Sequence, residues 1–266
     1  MVVVLTATGY RLLGQYLDLR YGALIAAAIV WAMTNGSSPG GLLLLLYSFL
    51  IPALAVIAVT RGLHGRAAGT LFGAGARRVA GDALRVALPV LGLGLLTLPF
   101  ALADDAVSEH LSPWTVAAYL PAALPAILVQ TGAEELVFRG YLLQQLAARF
   151  RSPIAWMLAP SVLFAAGHYA PETFGAEAPL VAVWAGLFGI AAADLTARTG
   201  NIGAAIGLHF ATNVMAFLFL GLAGSLDGLA LWVQRHDPAS GISAFLVIDL
   251  LTMLCGWLIA RLALRV

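Results

Sequence analysis

The sequence predicts an all-α protein, a helical bundle crossing a membrane about eight times with both termini cytoplasmic. Three observations predict it. Of 266 residues, 61% are hydrophobic and only 10% charged, and mean hydropathy is +0.94, whereas charged residues make up about a quarter of a soluble domain. The apolar residues fall into eight stretches that can cross or nearly cross a hydrocarbon core of about 30 Å: residues 21–34, 41–60, 83–103, 120–148, 153–170, 179–197, 202–224 and 241–262. The arginines alternate between the loops that separate these stretches, as retention of positive charge on the cytoplasmic side requires.

Taken in order, the polar segment from Gly9 to Arg20 precedes the first stretch and has no cleavable-signal character, so the chain is expected to begin as mature protein. Arg61, Arg66, Arg77, Arg78 and Arg85 lie between the second and third stretches and are expected to anchor to anionic headgroups. The fourth stretch is too long for one crossing. Pro113, Pro121 and Pro125 predict a short leading helix that breaks before the main one, because proline disfavours helix in the residue before it. Arg149 and Arg151 follow the fourth stretch, Arg198 the sixth, and Arg261 and Arg265 the eighth. The alternate loops hold Asp104, Asp105, Glu109, Glu172, Glu177 and Asp227, with Arg235 as the exception.

No linker or repeat divides the chain, which predicts one transmembrane domain over 1–266 in the cell (inner) membrane. A single cysteine, Cys255, allows no intrachain disulfide, and a net charge of +1 gives no reason to expect nucleic acid as a partner.

Function is carried by polar residues inside this apolar sequence. Glu134, Glu135 and Arg139 lie in the fourth stretch, His168 in the fifth, His209 and Asn213 in the seventh, and Asp249 in the eighth. An ionised side chain at the bilayer centre costs roughly 2.5–3.5 kcal/mol even on the translocon scale, so such residues need a compensating use. Counted from Arg149, Arg151 and Arg198 at about 1.5 Å per helical residue, Glu134, His168, His209 and Asn213 lie roughly 16–25 Å from the cytoplasmic surface. Three helices therefore supply polar groups to one layer, as a buried site needs.

Helical spacing assigns partners. Residues four apart share a helix face, so Arg139 stacks with Glu135 as an ion pair, and Glu134 points elsewhere, suited to take a proton from water. His209 and Asn213, also four apart, make a pair of donors fit for an oxyanion hole. His168 ends the run Phe164-Ala165-Ala166-Gly167-His168, whose small residues let a neighbouring helix approach. Taken alone, either histidine is more often a hydrogen-bonded bundle residue than a catalytic one, and together with Glu134 the balance reverses; that the two glutamates only hold the bundle together is the less favoured alternative.

The pattern Glu134-Glu135-x-x-x-Arg139, Phe164-x-x-x-His168 and His209-x-x-x-Asn213 resembles the three motifs of the CAAX prenyl protease 2 and bacteriocin-processing (CPBP, or Abi) intramembrane protease family. Flanking text agrees, in Phe138-Arg139-Gly140-Tyr141-Leu142-Leu143 and in Ile206-Gly207-Leu208-His209. The resemblance covers about 120–220, the motif-bearing core, and little of 1–110. It implies an endopeptidase acting on a membrane-associated peptide or protein, with Glu134 activating water, His168 assisting, His209 and Asn213 stabilising the oxyanion, and Glu135 with Arg139 supporting the site.

The resemblance also raises zinc, since Glu134, His168 and His209 could supply two histidines and a carboxylate. No His-Glu-x-x-His helix is present, and Asn213 suits an amide donor better than a ligand, so a metal-free site with no cofactor is expected and zinc is the alternative. Serine and aspartyl intramembrane proteolysis lack their Gly-x-Ser-Gly and Gly-x-Gly-Asp motifs. An ion- or proton-coupled transporter is the alternative from another class, for which Asp249 speaks and the lack of an inverted repeat does not.

Overall fold

A computed structural model of the chain describes residues 1–235 and 244–266. It is 79% helical, so the helical class expected from composition holds. In chain order the helices are α1 (Val2–Tyr21), α2 (Ala23–Asn35), α3 (Pro39–Ser48), α4 (Leu50–Gly62), α5 (Ala76–Ala101), α6 (Pro113–Glu135), α7 (Gln144–Ala147), α8 (Pro153–Gly167), α9 (Pro171–Phe174), α10 (Ala178–Thr199), α11 (Gly203–Val214) and α12 (Ala244–Leu264).

Five helical stretches are long and apolar enough to cross a membrane: Pro39–Gly62, Ala68–Ala101, Pro113–Ala147, Pro171–Thr199 and Val247–Leu264. The other apolar helices, Ala23–Asn35, Pro153–Gly167 and Gly203–Phe219, are shorter. At about 1.5 Å per residue such helices fall short of a 30 Å core. The chain is thus a multi-pass membrane protein with five helices of crossing length among the described residues. The first three residues of the stretch expected at 241–262 lie outside them.

The polar N-terminal segment forms part of the 20-residue helix α1. Two local features differ from the sequence expectation. The prolines do not break the fourth stretch: α6 starts at Pro113, behind Ser112, whose Oγ accepts from Thr115 N at 3.1 Å, and runs through Pro121 and Pro125 to Glu135. Proline sits well at a helix start, and within membrane helices neighbours re-satisfy the backbone groups it releases. The seventh stretch stops being helical at Phe219, where the chain turns into a short strand.

That strand, β2 (Leu220–Leu222), joins a three-stranded sheet with β1 (Val107–Glu109) and β3 (Trp232–Gln234), in the order β1-β3-β2. β1 pairs antiparallel with β3, and β2 pairs parallel with it.

By contact the described chain divides into two compact units. The first comprises Met1–Ala68, Ala106–Glu134 and Asn213–Arg235. In it the Tyr47 hydroxyl donates to the Ala122 carbonyl at 3.1 Å, tying α3 to α6, and the sheet closes one set of loops. The second comprises Gly69–Asp105, Glu135–Thr212 and the described part of the C-terminal segment. Its core is built from Val86 and Val90 of α5, Phe164 of α8, Phe188 and Leu195 of α10, Leu208 of α11 and Met253 of α12.

Close backbone approach sets the helices of this second unit. A Cβ on Gly203 or Gly207 would collide with the Val79 or Ala83 carbonyl oxygen, so this small-x-x-x-small pair lets α11 lie directly on α5. A Cβ on Gly189 would fall 2.9 Å from Ser161 Cβ, which brings α10 onto α8. In the run expected to admit a neighbouring helix, Ala165 meets Gly186, while Ala166 and Gly167 stay exposed.

Candidate active site

The first and third motifs sit where α-helix gives way to wider π-helix. Beyond Glu135 the chain is π-helical over Leu136–Leu143, and beyond α11 it is π-helical over Met215–Phe219. Such turns are rare and concentrate at functional sites. Nothing in residue spacing signals them.

In the second unit the Glu135 carboxylate is the hub. Arg139 Nη1 donates to Glu135 Oε1 at 2.7 Å, and His209 Nδ1 lies 2.8 Å from the same oxygen. Glu135 and Arg139 are 0% and 1% exposed, so this is an ion pair removed from solvent. Arg139 Nη2 donates to the Gly189 carbonyl at 3.1 Å, which fastens the pair to α10 at the residue where α10 meets α8. The guanidinium carbon also lies 5.1 Å from the Phe164 ring centroid and 5.9 Å from those of Phe138 and Phe188. Rings on several sides hold the cation by their quadrupoles and keep water away from it. A cavity of about 320 Å³, lined by Thr70, Gln144, Thr196 and Asn201, reaches Arg139.

Hydrogen bonding fixes the ring orientations of both histidines. Because a carboxylate only accepts, His209 Nδ1 carries a proton and donates it to Glu135. His209 also packs edge-on against Phe188, with centroids 4.9 Å apart. His168 terminates α8, and its Nδ1 donates to the Phe164 carbonyl at 2.8 Å, which likewise places a proton on Nδ1. The four-residue spacing of Phe164 and His168 thus has a direct meaning: the backbone of the first orients the ring of the second. Phe164 in turn packs on His168 at 4.3 Å and on His209 at 6.0 Å between centroids.

In the first unit Asn213 Nδ2 donates to Gln130 Oε1 at 2.7 Å. Gln130 is buried and stands four residues before Glu134 on α6, on the same face. Sequence reasoning missed it, since an amide in an apolar stretch announces itself less than a charge. Glu134 is half-buried at the end of α6, and Asp249 is half-buried on α12. The structure thus gathers Glu135, Arg139 and His209 into one cluster, with His168 beside its aromatic wall. In the first unit it pairs Asn213 with Gln130.

Among the described residues no three His, Cys, Asp or Glu side chains stand close enough together to hold a metal ion. His209 Nδ1 is committed to a carboxylate.

Residues 115–215 match the family model of the Type II CAAX prenyl endopeptidases, Rce1-like. The chain is also 37% identical over 114 residues to the uncharacterized protein YyaK of Bacillus subtilis (strain 168). That alignment covers 41% of this chain and 36% of the relative, so the chain spans about a third of the length of the curated relative it matches. No solved structure matches significantly. All the motif residues named above fall within the matched segment, and the match supports the CPBP intramembrane protease family for residues 115–215 of this chain.

Proposed function

We propose that the protein is an intramembrane endopeptidase that hydrolyses a peptide bond of a membrane-associated protein or peptide. The observation that carries the reading is the buried Glu135 carboxylate, which holds Arg139 and His209 at 2.7 and 2.8 Å within the segment matched to a protease family. A charge pair so far from water is costly to retain for stability alone, and here it fixes the tautomer and angle of a histidine that chemistry can use.

In the proposed mechanism Glu134 takes a proton from water, and the resulting hydroxide attacks the scissile carbonyl carbon. His168, whose Nδ1 donates to the Phe164 carbonyl, passes the proton taken up by Glu134 on to the leaving amine nitrogen through Nε2. The tetrahedral oxyanion is stabilised by the Asn213 amide, and by His209 when its ring carries both protons and donates from Nε2 while Nδ1 donates to Glu135. Gln130 positions the Asn213 amide. Collapse of the intermediate expels the amine, which leaves with the proton first taken from water. CAAX-type processing and peptide maturation are both accommodated by this chemistry.

The test uses purified protein in lipid nanodiscs with a library of membrane-anchored peptides. Glu134→Gln is expected to abolish cleavage without changing helix content or unfolding temperature. Equal activity in wild type and Glu134→Gln would end the reading. Activity that a strong chelator removes and zinc restores would replace the glutamate mechanism with a metal one while leaving the protease standing.

A further inference from the structure

We propose that the arginine-lined cavity at the start of α5 binds the phosphate of an anionic phospholipid, with the acyl chains running along the exposed face of the same helix. The cavity has a volume of about 590 Å³ and is lined by Arg77, Arg78, Gly81, Asp82 and Arg85. Three guanidinium groups face one carboxylate there. That carboxylate neutralises them only loosely: Asp82 Oδ2 accepts from Asn201 Nδ2 at 2.8 Å, whereas the nearest Arg78 and Arg85 nitrogens stand 3.9 and 3.6 Å from Asp82 oxygens, beyond good hydrogen-bonding distance. The Arg78 and Arg85 side chains are 66% and 69% exposed. Arg78 is nonetheless steadied, its Nη2 donating to the Thr199 carbonyl at 3.0 Å. An excess of positive charge with planar donors left over is the composition that takes a phosphate bidentately.

The rest of α5 says why the phosphate belongs to a lipid. One side of the helix, Val79, Asp82, Val86, Val90 and Gly94, is buried. The other carries Leu84, Leu88 and Leu95, which are 60%, 65% and 47% exposed and follow one another at four and seven residues, one helical stripe. This stripe starts beside Arg85 and runs about 15 Å into the span. A soluble anion would use the arginines and leave the leucines bare. A phospholipid uses both, its headgroup in the cavity and its chains on the leucines.

The experiment measures lipid retained by the purified full chain, by native mass spectrometry from nanodiscs of equal parts phosphatidylglycerol and phosphatidylcholine. Wild type is expected to retain phosphatidylglycerol selectively, and millimolar inorganic phosphate should not displace it. Arg77→Gln with Arg85→Gln should lower retention about tenfold, the loss of charge-assisted hydrogen bonds to a phosphate. Arg78 is left in place because it ties α5 to the end of α10. The control, Arg149→Gln with Arg151→Gln, removes equal charge from another exposed loop and should retain lipid as wild type does. Equal loss in both double variants, equal retention of phosphatidylcholine, or displacement by inorganic phosphate would each overturn the proposal. A cavity variant with altered helix content is replaced by Arg85→Lys, which keeps the charge and should retain lipid more weakly than wild type; full retention there also counts against it.

Discussion

Glu135 with Arg139, and Asp82 with Arg78 and Arg85, each set a carboxylate against arginine within about one helical turn, at four residues in the first and at four and three in the second, and both belong to the second unit. Their surroundings differ. Glu135 and Arg139 are 0% and 1% exposed and meet at 2.7 Å, with rings and the Gly189 carbonyl completing the guanidinium's contacts. Around Asp82 only the carboxylate is buried, and the arginines reach out to solvent at 3.6 and 3.9 Å. Burial converts one pair into a rigid support for His209 and leaves the other as a set of donors available to a ligand. An arginine–carboxylate spacing in a sequence therefore predicts proximity; the environment decides what that proximity does.

The comparison can be broken by substitution. The largest effect is expected at Glu135→Gln, which leaves Arg139 charged and buried and should cost about 3–5 kcal/mol, seen as lower yield and an earlier denaturation midpoint in lipid or detergent. A cost below 1 kcal/mol there would erase the distinction between the two clusters.

A part-buried polar pair without charge, Asn213 with Gln130, should fall between them. Asn213→Ala should lower kcat by about 10²–10³ with KM nearly unchanged, the usual loss for one oxyanion donor. A raised KM with kcat intact would make Asn213 a substrate-binding residue instead. Gln130→Ala should cost about 1–3 kcal/mol in stability, because the Asn213 amide loses its acceptor, and it should lower kcat less than Asn213→Ala does.

In the exposed cluster, Asp82→Ala should cost about 1–3 kcal/mol, and the loss belongs to the orphaned Asn201 amide and not to the arginines. Arg85→Gln removes only an exposed contact at 3.6 Å and should change stability by about 0–1 kcal/mol. Equal losses in these two variants, read from chemical denaturation, would show the Asp82–Arg85 contact to be stronger than its geometry allows.

Much of the architecture was legible in the sequence because its causes are local. Long apolar runs, bounded by arginines in alternate loops, marked the helices, and an i, i+4 spacing marked Glu135 with Arg139. The proline reading failed for the converse reason. The restriction proline places on its neighbour is local, but helix continuity through Pro121 and Pro125 depends on what surrounds them. The all-helical expectation likewise missed three short strands, of which β1 pairs with β3 across more than 120 positions, as Val107 with Gln234.

By itself the sequence determined that this is a helical membrane protein, that its costly polar residues fall into three ordered motifs, and that Glu135 meets Arg139. Only the tertiary structure decided that His209 joins Glu135 across 74 positions, that Asn213 joins Gln130 across 83, and that the motif helices widen into π-turns. The physical reason is range. Helical periodicity fixes which residues share a face within a few turns, and small residues such as Gly203 and Gly207 mark a face fit for close approach, but which helix fills that face is settled only when the chain packs.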